Sequence, residues 1–200
     1  AGKVPKGRAG GFILRDPKRW NNQTFKATGL TDKEKDALNA LRAKGVDGVI
    51  LSTVTVDDPN VQPLIDADIP FVFDPGQGLP MFDGKELMHF IHLSTWVTVN
   101  DYEGKMLCDR TGLSSAEISR HVKGLIVTLG ANGCEVWVDG QKTLVPPVKA
   151  KEVVDPTGCG DAWRGALLFG LEKGWSLDKC AALGNEVGAR KIAQRGPQNY

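Results

Sequence analysis

The stretch Val153–Phe169, VVDPTGCGDAWRGALLF, organises the C-terminal part of this chain and raises its main chemical question. Its apolar second half predicts a helix, and Asp161 lies where that helix would begin. A carboxylate in that place is a common helix cap, which is the purely structural interpretation. A cap does not explain why Gly158 and Gly160 also strip the backbone of Cβ atoms just where a helix attracts anions. We therefore interpret the stretch as an anion site with a base beside it.

The segments on either side of this stretch predict an α/β fold. Strand-like runs at residues 48–54, 70–73, 96–100 and 125–130 alternate with helix-like runs at 60–67, 83–93, 102–108 and 114–122. A hairpin around Asp139-Gly140 follows, and two long helices are predicted near 159–173 and 177–194. This order predicts a mostly parallel sheet flanked by helices on both faces, with a C-terminal β-hairpin. A two-stranded ribbon is predicted within residues 10–28, and the whole chain, 1–200, is predicted to be one domain.

Composition narrows the class of protein. With 41% hydrophobic residues, 24% charged residues and a net charge of +1, the chain has no field that favours nucleic acid or a membrane surface. The basic N-terminal segment, residues 1–20, is interpreted as a solvated terminus rather than an RNA-binding or partner-binding arm. Four cysteines without a C-x-x-C pair fit neither a zinc site nor a disulfide framework, which favours a cytoplasmic, reducing compartment. No apolar run is long enough to predict a membrane span.

Polar residues follow two of the predicted strands. Asn100 and Glu103 are spaced to share one face of the next helix, where Glu103 would either hold hydrated Mg²⁺ through water or complete a helix cap. Thr128, Gly130 and Gly133 form a turn that suits a nucleotide phosphate or, equally, a plain link into the hairpin. Ligands of parallel sheets gather at the carboxyl ends of strands, so both groups are candidate site residues.

These motifs together resemble the ribokinase-like (PfkB) family of sugar and nucleoside kinases. The segment Val154–Gly165, VDPTGCGDAWRG, is similar to the family's C-terminal signature, and the Asn100 and Thr128 motifs are similar to its nucleotide-site motifs in order and spacing. The segments Phe73–Pro80 and Arg195–Gln198 are most similar to bacterial adenosine-kinase-like members. The ribbon of residues 10–28 resembles the returning part of the family's β lid.

The resemblance implies a role for each matching residue. Asp161 would be the catalytic base, and the amides of Gly158, Cys159 and Gly160 would form the anion hole; many members carry Ala where Cys159 stands. The ATP site would be lined by Asn100, Glu103, Thr128, Gly130, Gly133 and Asn185, with Mg²⁺ held through water by Glu103. Asp155 and Thr157 match positions near a monovalent cation, which would be K⁺.

The implied activity is transfer of the γ-phosphoryl group of Mg-ATP to the hydroxymethyl group of a nucleoside or sugar. Adenosine is the leading substrate, with ribose or another sugar next. The family's N-terminal third is missing from the match. We therefore expect either that the chain is an excerpt of a longer kinase or that a homodimer or a partner chain covers the absent strands. The alternative is a non-catalytic, kinase-derived scaffold or binding subunit of a larger assembly.

Overall fold

The computed structural model describes residues 13–14, 48–49 and 70–197. Contacts divide the chain into two compact units, Ala1–Val72 and Phe73–Tyr200, where the sequence predicts one domain. In the first unit, strand β1 (Ile13–Leu14) pairs antiparallel with strand β2 (Gly48–Val49). Strand β1 lies within the predicted ribbon of residues 10–28. The second strand of that ribbon, at 23–28, and the predicted helix at 60–67 lie outside the described residues.

A five-stranded sheet carries the part of the molecule that positions the candidate site. Its strands, in spatial order, are β3 (Val72–Phe73), β4 (Trp96–Asn100), β5 (Gly124–Thr128), β6 (Cys134–Val138) and β7 (Gln141–Val145). Strands β4 and β5 run parallel, and β5–β6 and β6–β7 pair antiparallel. The predicted hairpin is confirmed, because Asp139 and Gly140 both adopt the positive φ angles that a tight turn between twisted strands requires.

Five α-helices accompany the sheet in the described residues. They are α1 (Gly84–Leu93), α2 (Asp101–Thr111), α3 (Ser115–Ile118), α4 (Cys159–Glu172) and α5 (Leu177–Lys191). Short 3₁₀ turns span Gly76–Met81 and Gly130–Asn132. Helix α3 ends earlier than the predicted residue 122, since Ser119 turns its hydroxyl to the Ala116 carbonyl and accepts the Gly140 amide. Among the helices of residues 70–197, none has the length and apolarity that a membrane crossing needs.

Helices cover both faces of the sheet, which confirms the predicted fold class. On one face, a Cβ atom built on Gly104 of α2 would lie 3.3 Å from Val127 and 3.4 Å from Val99, so this helix packs closely on β4 and β5. On the other face, Ile126 joins a buried cluster with residues of the hairpin and of helices α4 and α5. Alternation along β5 therefore sends successive apolar side chains into two separate cores.

Helices α4 and α5 approach each other closely at two glycines. A Cβ atom on Gly170 would lie 2.6 Å from the Cys180 sulfur, and one on Gly184 would lie 2.6 Å from the Trp163 ring. Both distances are far shorter than van der Waals contact. The two glycines therefore set the separation of this helix pair, and with it the position of the first turn of α4.

Candidate functional site

The carboxyl ends of β4 and β5 lie side by side. Asn100 and Thr128, the last residues of the two strands, are direct partners in the parallel register. The Thr128 hydroxyl also donates a hydrogen bond to the Val99 carbonyl across 3.4 Å. Two of the predicted nucleotide-site residues are therefore neighbours at the sheet edge where ligands of parallel strands bind.

Asn100 and Glu103 form a complete capping box at the start of α2. The Asn100 side chain accepts the Glu103 amide across 2.7 Å, and the Glu103 carboxylate accepts the Asn100 amide across 2.9 Å. The cap that the sequence leaves open as an alternative is therefore present. The box engages one carboxylate oxygen of Glu103, and this side chain is mostly buried. In the described residues, no three His, Cys, Asp or Glu side chains are grouped closely enough to hold a metal ion directly.

The turn after β5 contains two glycines, and the structure explains the presence of glycine differently at each position. Gly130 has a φ of 56° and open space where a side chain would stand. Gly133 has a φ of 83°, and a Cβ atom there would clash with the Val145 carbonyl at the end of β7. Gly133 is thus explained by packing, whereas the exposed Gly130 leaves its backbone open to a ligand.

The first turn of α4 presents amides that have no acceptor in the described part of the chain. Gly158 is the N-cap with a φ of 79°, and the Cys159 amide donates to the Pro156 carbonyl across 3.1 Å. The amides of Gly160 and Asp161 make no hydrogen bond within residues 70–197. Because the amides of a helix start carry partial positive charge, this turn can receive an anion. Of the three predicted anion-hole donors, the Cys159 amide is the one with a hydrogen-bond partner within residues 70–197.

Packing requires glycine at position 158 of this turn, whereas at position 160 the close neighbour is the end of a flexible side chain. A Cβ atom on Gly158 would lie 2.5 Å from the Pro197 carbonyl oxygen, and one on Gly160 would lie 2.7 Å from the Arg164 guanidinium. The glycine at 158 lets the turn after α5 approach, and the glycine at 160 makes room for an arginine. The absence of Cβ atoms next to these amides therefore follows from the same close approaches that hold the turn in place.

Asp161 projects away from the protein core. Its side chain is 84% exposed, and its carboxylate lies 3.7 Å from the Arg164 guanidinium one helical turn later. An exposed carboxylate next to unpartnered amides can reach both a phosphate and the hydroxyl that attacks it. The geometry predicted for a base beside an anion site is thus available.

Arg164 is a site residue that the sequence does not single out. Its guanidinium makes two hydrogen bonds with the Asp74 carboxylate, which lies directly after β3. Burial raises the pKa of Asp74 above its usual value, against the opposing effect of Arg164. The negative charges of Asp161 and Glu103 also act on Arg164, so this cation is shared by three acids. The sequence feature that could have identified Arg164 is its position three residues, about one helical turn, after Asp161.

The loop before α4 is tied to the turn after α5. The Asp155 carboxylate accepts the amides of Thr157 and Gly196, both across 2.9 Å. These hydrogen bonds lower the pKa of Asp155 to about 2. The amides of Val154 and Asp155 both donate to the Ile192 carbonyl. Asp155 and Thr157 therefore shape the loop that leads into the candidate anion-binding turn.

Cys159 is not an activated thiol. Burial raises its pKa, and its sulfur lies 3.9 Å from the Asp155 carbonyl oxygen. A reactive cysteine has a lowered pKa, because the thiolate is the nucleophile. The thiol at this position therefore fills space beside the loop. A small, unreactive side chain also fits the resemblance, in which many family members carry Ala here.

Asn185 uses its amide group inside the protein. Its oxygen accepts the Trp163 indole N–H across 3.0 Å, and its nitrogen donates to the Pro146 carbonyl across 2.9 Å. These bonds connect α5 to α4 and to the end of β7. The side chain predicted to lie near adenine is thus a structural link, with its polar atoms already engaged.

The predicted residues gather around the first half of α4. The Asp161 carboxylate lies 3.7 Å from the Arg164 guanidinium, whose charge also interacts with that of Glu103. Asn185, which accepts the Trp163 indole N–H, and Gly133 both lie against the end of β7. The sequence places these residues far apart along the chain. The sheet edge and helix α4 bring them into one region.

The proteins that resemble this chain in sequence are small-molecule kinases. Residues 67–200 match the model of the pfkB family carbohydrate kinases. The chain is 31% identical over 126 residues to a nucleoside kinase of Methanocaldococcus jannaschii, covering 63% of this chain and 42% of that protein. It is 30% identical over 164 residues to an inositol 3-kinase of Arabidopsis thaliana, covering 79% and 44%.

One solved structure has a higher sequence identity to this chain than these two relatives. The nucleoside kinase of Burkholderia thailandensis, in complex with inosine, is 48% identical with a TM-score of 0.68, covering 70% of this chain and 46% of that one. The chain thus spans less than half the length of these three relatives. Since the family model covers two thirds of the chain, including the Asn100, Thr128 and Asp161 regions, this chain belongs to the pfkB family of carbohydrate kinases.

Proposed function

We propose that the protein transfers the γ-phosphoryl group of ATP to the hydroxymethyl group of a nucleoside or sugar. The observation that carries this proposal is the exposed Asp161 carboxylate beside the amides of Gly160 and Asp161, which have no hydrogen-bond partner within residues 70–197. Phosphoryl transfer needs positive groups around the migrating phosphate and a base for the acceptor hydroxyl, and this turn supplies both.

The mechanism assigns one task to each part of the site. Asp161 accepts the hydroxyl proton while the acceptor oxygen attacks the γ-phosphorus, and the bond to the ADP oxygen breaks in line. The first-turn amides of α4, with the helix dipole, stabilise the charge on the equatorial oxygens. Asn100, Thr128 and the open turn at Gly130 hold the nucleotide at the sheet edge. Mg²⁺ would supply charge neutralisation of the phosphates, and the Glu103 oxygen outside the capping box would orient its water.

For the acceptor we favour a purine nucleoside. The sequence motifs point to adenosine, and the Burkholderia thailandensis relative at 48% identity was solved with inosine. A sugar such as ribose comes next. The match to an inositol 3-kinase of Arabidopsis thaliana makes inositol a required comparison.

A kinase assay on the natural protein that contains this chain tests the proposal. Adenosine, inosine, cytidine, ribose and myo-inositol are offered with Mg-ATP, and the phosphorylated product is identified by mass spectrometry. We expect transfer to a nucleoside, reduced by about 10² to 10⁴-fold in Asp161→Asn at unchanged Tm. Asp178→Asn, an exposed acid in the first turn of α5, is the matched control and should leave the rate unchanged.

The same assay separates catalysis from the scaffold alternative. A scaffold would show a Tm increase with an ATP analogue but no product from any acceptor. Product formation that Asp161→Asn leaves intact would contradict the assignment of the base.

A further inference from the structure

Lys191, the last residue of α5, is completely buried. It is 0% exposed, although long charged side chains are almost never fully buried without a partner. Its Nζ atom donates hydrogen bonds to the carbonyl oxygens of Asp155, across 3.0 Å, and Gln194, across 3.1 Å. No carboxylate of residues 70–197 forms an ion pair with it.

These two carbonyls belong to the segments that the site needs held together. Asp155 begins the loop that leads into Gly158 and the first turn of α4, and Gln194 lies in the turn after α5. A charge buried without a carboxylate is costly unless other groups solvate it. Here the backbone carbonyls and the negative end of the α5 dipole do so. The ammonium group is thus solvated by the oxygens that it joins.

The residues predicted near a monovalent cation do not fit K⁺ in this chain. Potassium is bound in proteins by carbonyl oxygens that replace its hydration shell. The Asp155 carbonyl already accepts Lys191, while both oxygens of its carboxylate accept backbone amides. A second cation on these oxygens would lie next to the ammonium group and be repelled by it.

We propose that the Lys191 ammonium is a built-in cation that takes the structural place of a bound monovalent ion. Lys191 is therefore a positioning residue: it fixes the loop 155–158 and, through it, the first-turn amides of α4. The claim that Lys191 replaces a bound ion rests on its hydrogen bonds alone. The claim that it thereby supports phosphoryl transfer rests on the proposed function. The protein then requires no K⁺ for either stability or turnover.

The first test uses the natural protein in choline chloride and in KCl at equal ionic strength. We expect the Tm to differ by less than about 3 °C and the transfer rate by less than about threefold. A larger, saturable increase with KCl in either quantity would overturn the proposal. The Tm measurement needs no substrate, so if no acceptor is phosphorylated but the Tm is independent of K⁺, the proposed function fails and the built-in cation stands.

The second test uses Lys191→Ala, which opens the space between the two carbonyls. We expect a Tm more than about 3 °C below that of the natural protein in choline chloride, partly recovered by KCl or NH₄Cl. Lys105→Ala, an exposed lysine on α2, is the control and should respond to neither salt. A Lys191→Ala protein as stable in choline as the natural one would overturn the proposal. If this variant does not fold in any salt, the comparison of salts on the natural protein decides.

Discussion

Arg164 and Asp74 form a two-point ion pair that joins the first turns of α4 to the residue directly after β3. The two residues are 90 positions apart in the chain. The same guanidinium lies 3.7 Å from the Asp161 carboxylate. The ion pair therefore fixes the helix that carries the proposed base against the sheet, and holds a positive charge beside that base.

Removing Arg164 should cost stability as well as activity. In Arg164→Met, the partly buried Asp74 carboxylate loses its charged donor, and we expect the free energy of unfolding to fall by about 1–3 kcal/mol. Asp74→Asn in the same protein should recover part of that loss, measured as a double-mutant cycle in urea. The control is Arg190→Met, whose exposed pair with Glu186 should contribute less than about 0.5 kcal/mol. Equal losses in the two arginine variants would contradict the structural role of the pair.

Asp155 should make stability depend on acid pH. Its pKa is lowered from 3.8 to about 2, because its ionised form accepts backbone amides. The stabilisation is complete above about pH 4 and is lost as the pH falls through about 2. Asp155→Asn should therefore have a lower Tm than the natural protein at pH 6, and the difference should shrink between about pH 4 and 2. Asp109→Asn, an exposed residue of α2, is the control. A Tm difference that stays constant over this range would contradict the assignment.

Gly158 should tolerate no side chain. Gly158→Ala places a Cβ atom against the Pro197 carbonyl at a φ of 79°, and we expect a loss of about 1–3 kcal/mol together with a lower transfer rate. Gly165→Ala, also in α4, has open space and should instead stabilise by up to about 1 kcal/mol. Urea denaturation of both variants measures the contrast. If Gly158→Ala has the same free energy of unfolding as the natural protein, the loop accommodates the added methyl group and the prediction is wrong.

The helix cap formed by Glu103 and its proposed role in binding magnesium can be separated by substitution. Glu103→Gln keeps an acceptor for the Asn100 amide, so the Tm should hold, while the Mg²⁺ concentration for half-maximal rate should rise by about 10 to 100-fold. Glu103→Ala should lose both, with about 1 kcal/mol less stability. If Glu103→Gln has the natural protein's Mg²⁺ requirement, Glu103 is a helix cap alone.

The sequence predicts the fold well where local rules decide it. The alternation of strands and helices, the Asp139-Gly140 turn and the starts of α1 and α3 follow from periodicity and capping residues, and the structure confirms them within residues 70–197. Asp83 caps α1, and of the two serines that the sequence offers at the start of α3, Ser114 is the cap. These features depend on neighbours within a few residues. Helix α3 ends early because Ser119 bonds to Gly140 on the hairpin, which local patterns do not encode.

The sequence identifies candidate site residues at strand ends and at a helix start, but it does not identify the partners of these residues inside the protein. Nothing near Arg164 in the sequence identifies Asp74 as its partner, and nothing near Lys191 identifies the Asp155 carbonyl. Asn185 illustrates the same limit, since its bonds to Trp163 and Pro146 exist only after the helices pack on the hairpin. Long-range contacts decide which polar groups are engaged and which are left for a ligand.

The glycines at 170 and 184 allow α4 and α5 to pack so closely that a shift of one helix would also move the other. A single added methyl group at either place would wedge the two helices apart. It would displace the amides at the start of α4 and, at the far end of α5, the carbonyls around Lys191. The geometry of the proposed site should therefore be sensitive to substitutions where these two helices contact each other, away from the first turn of α4.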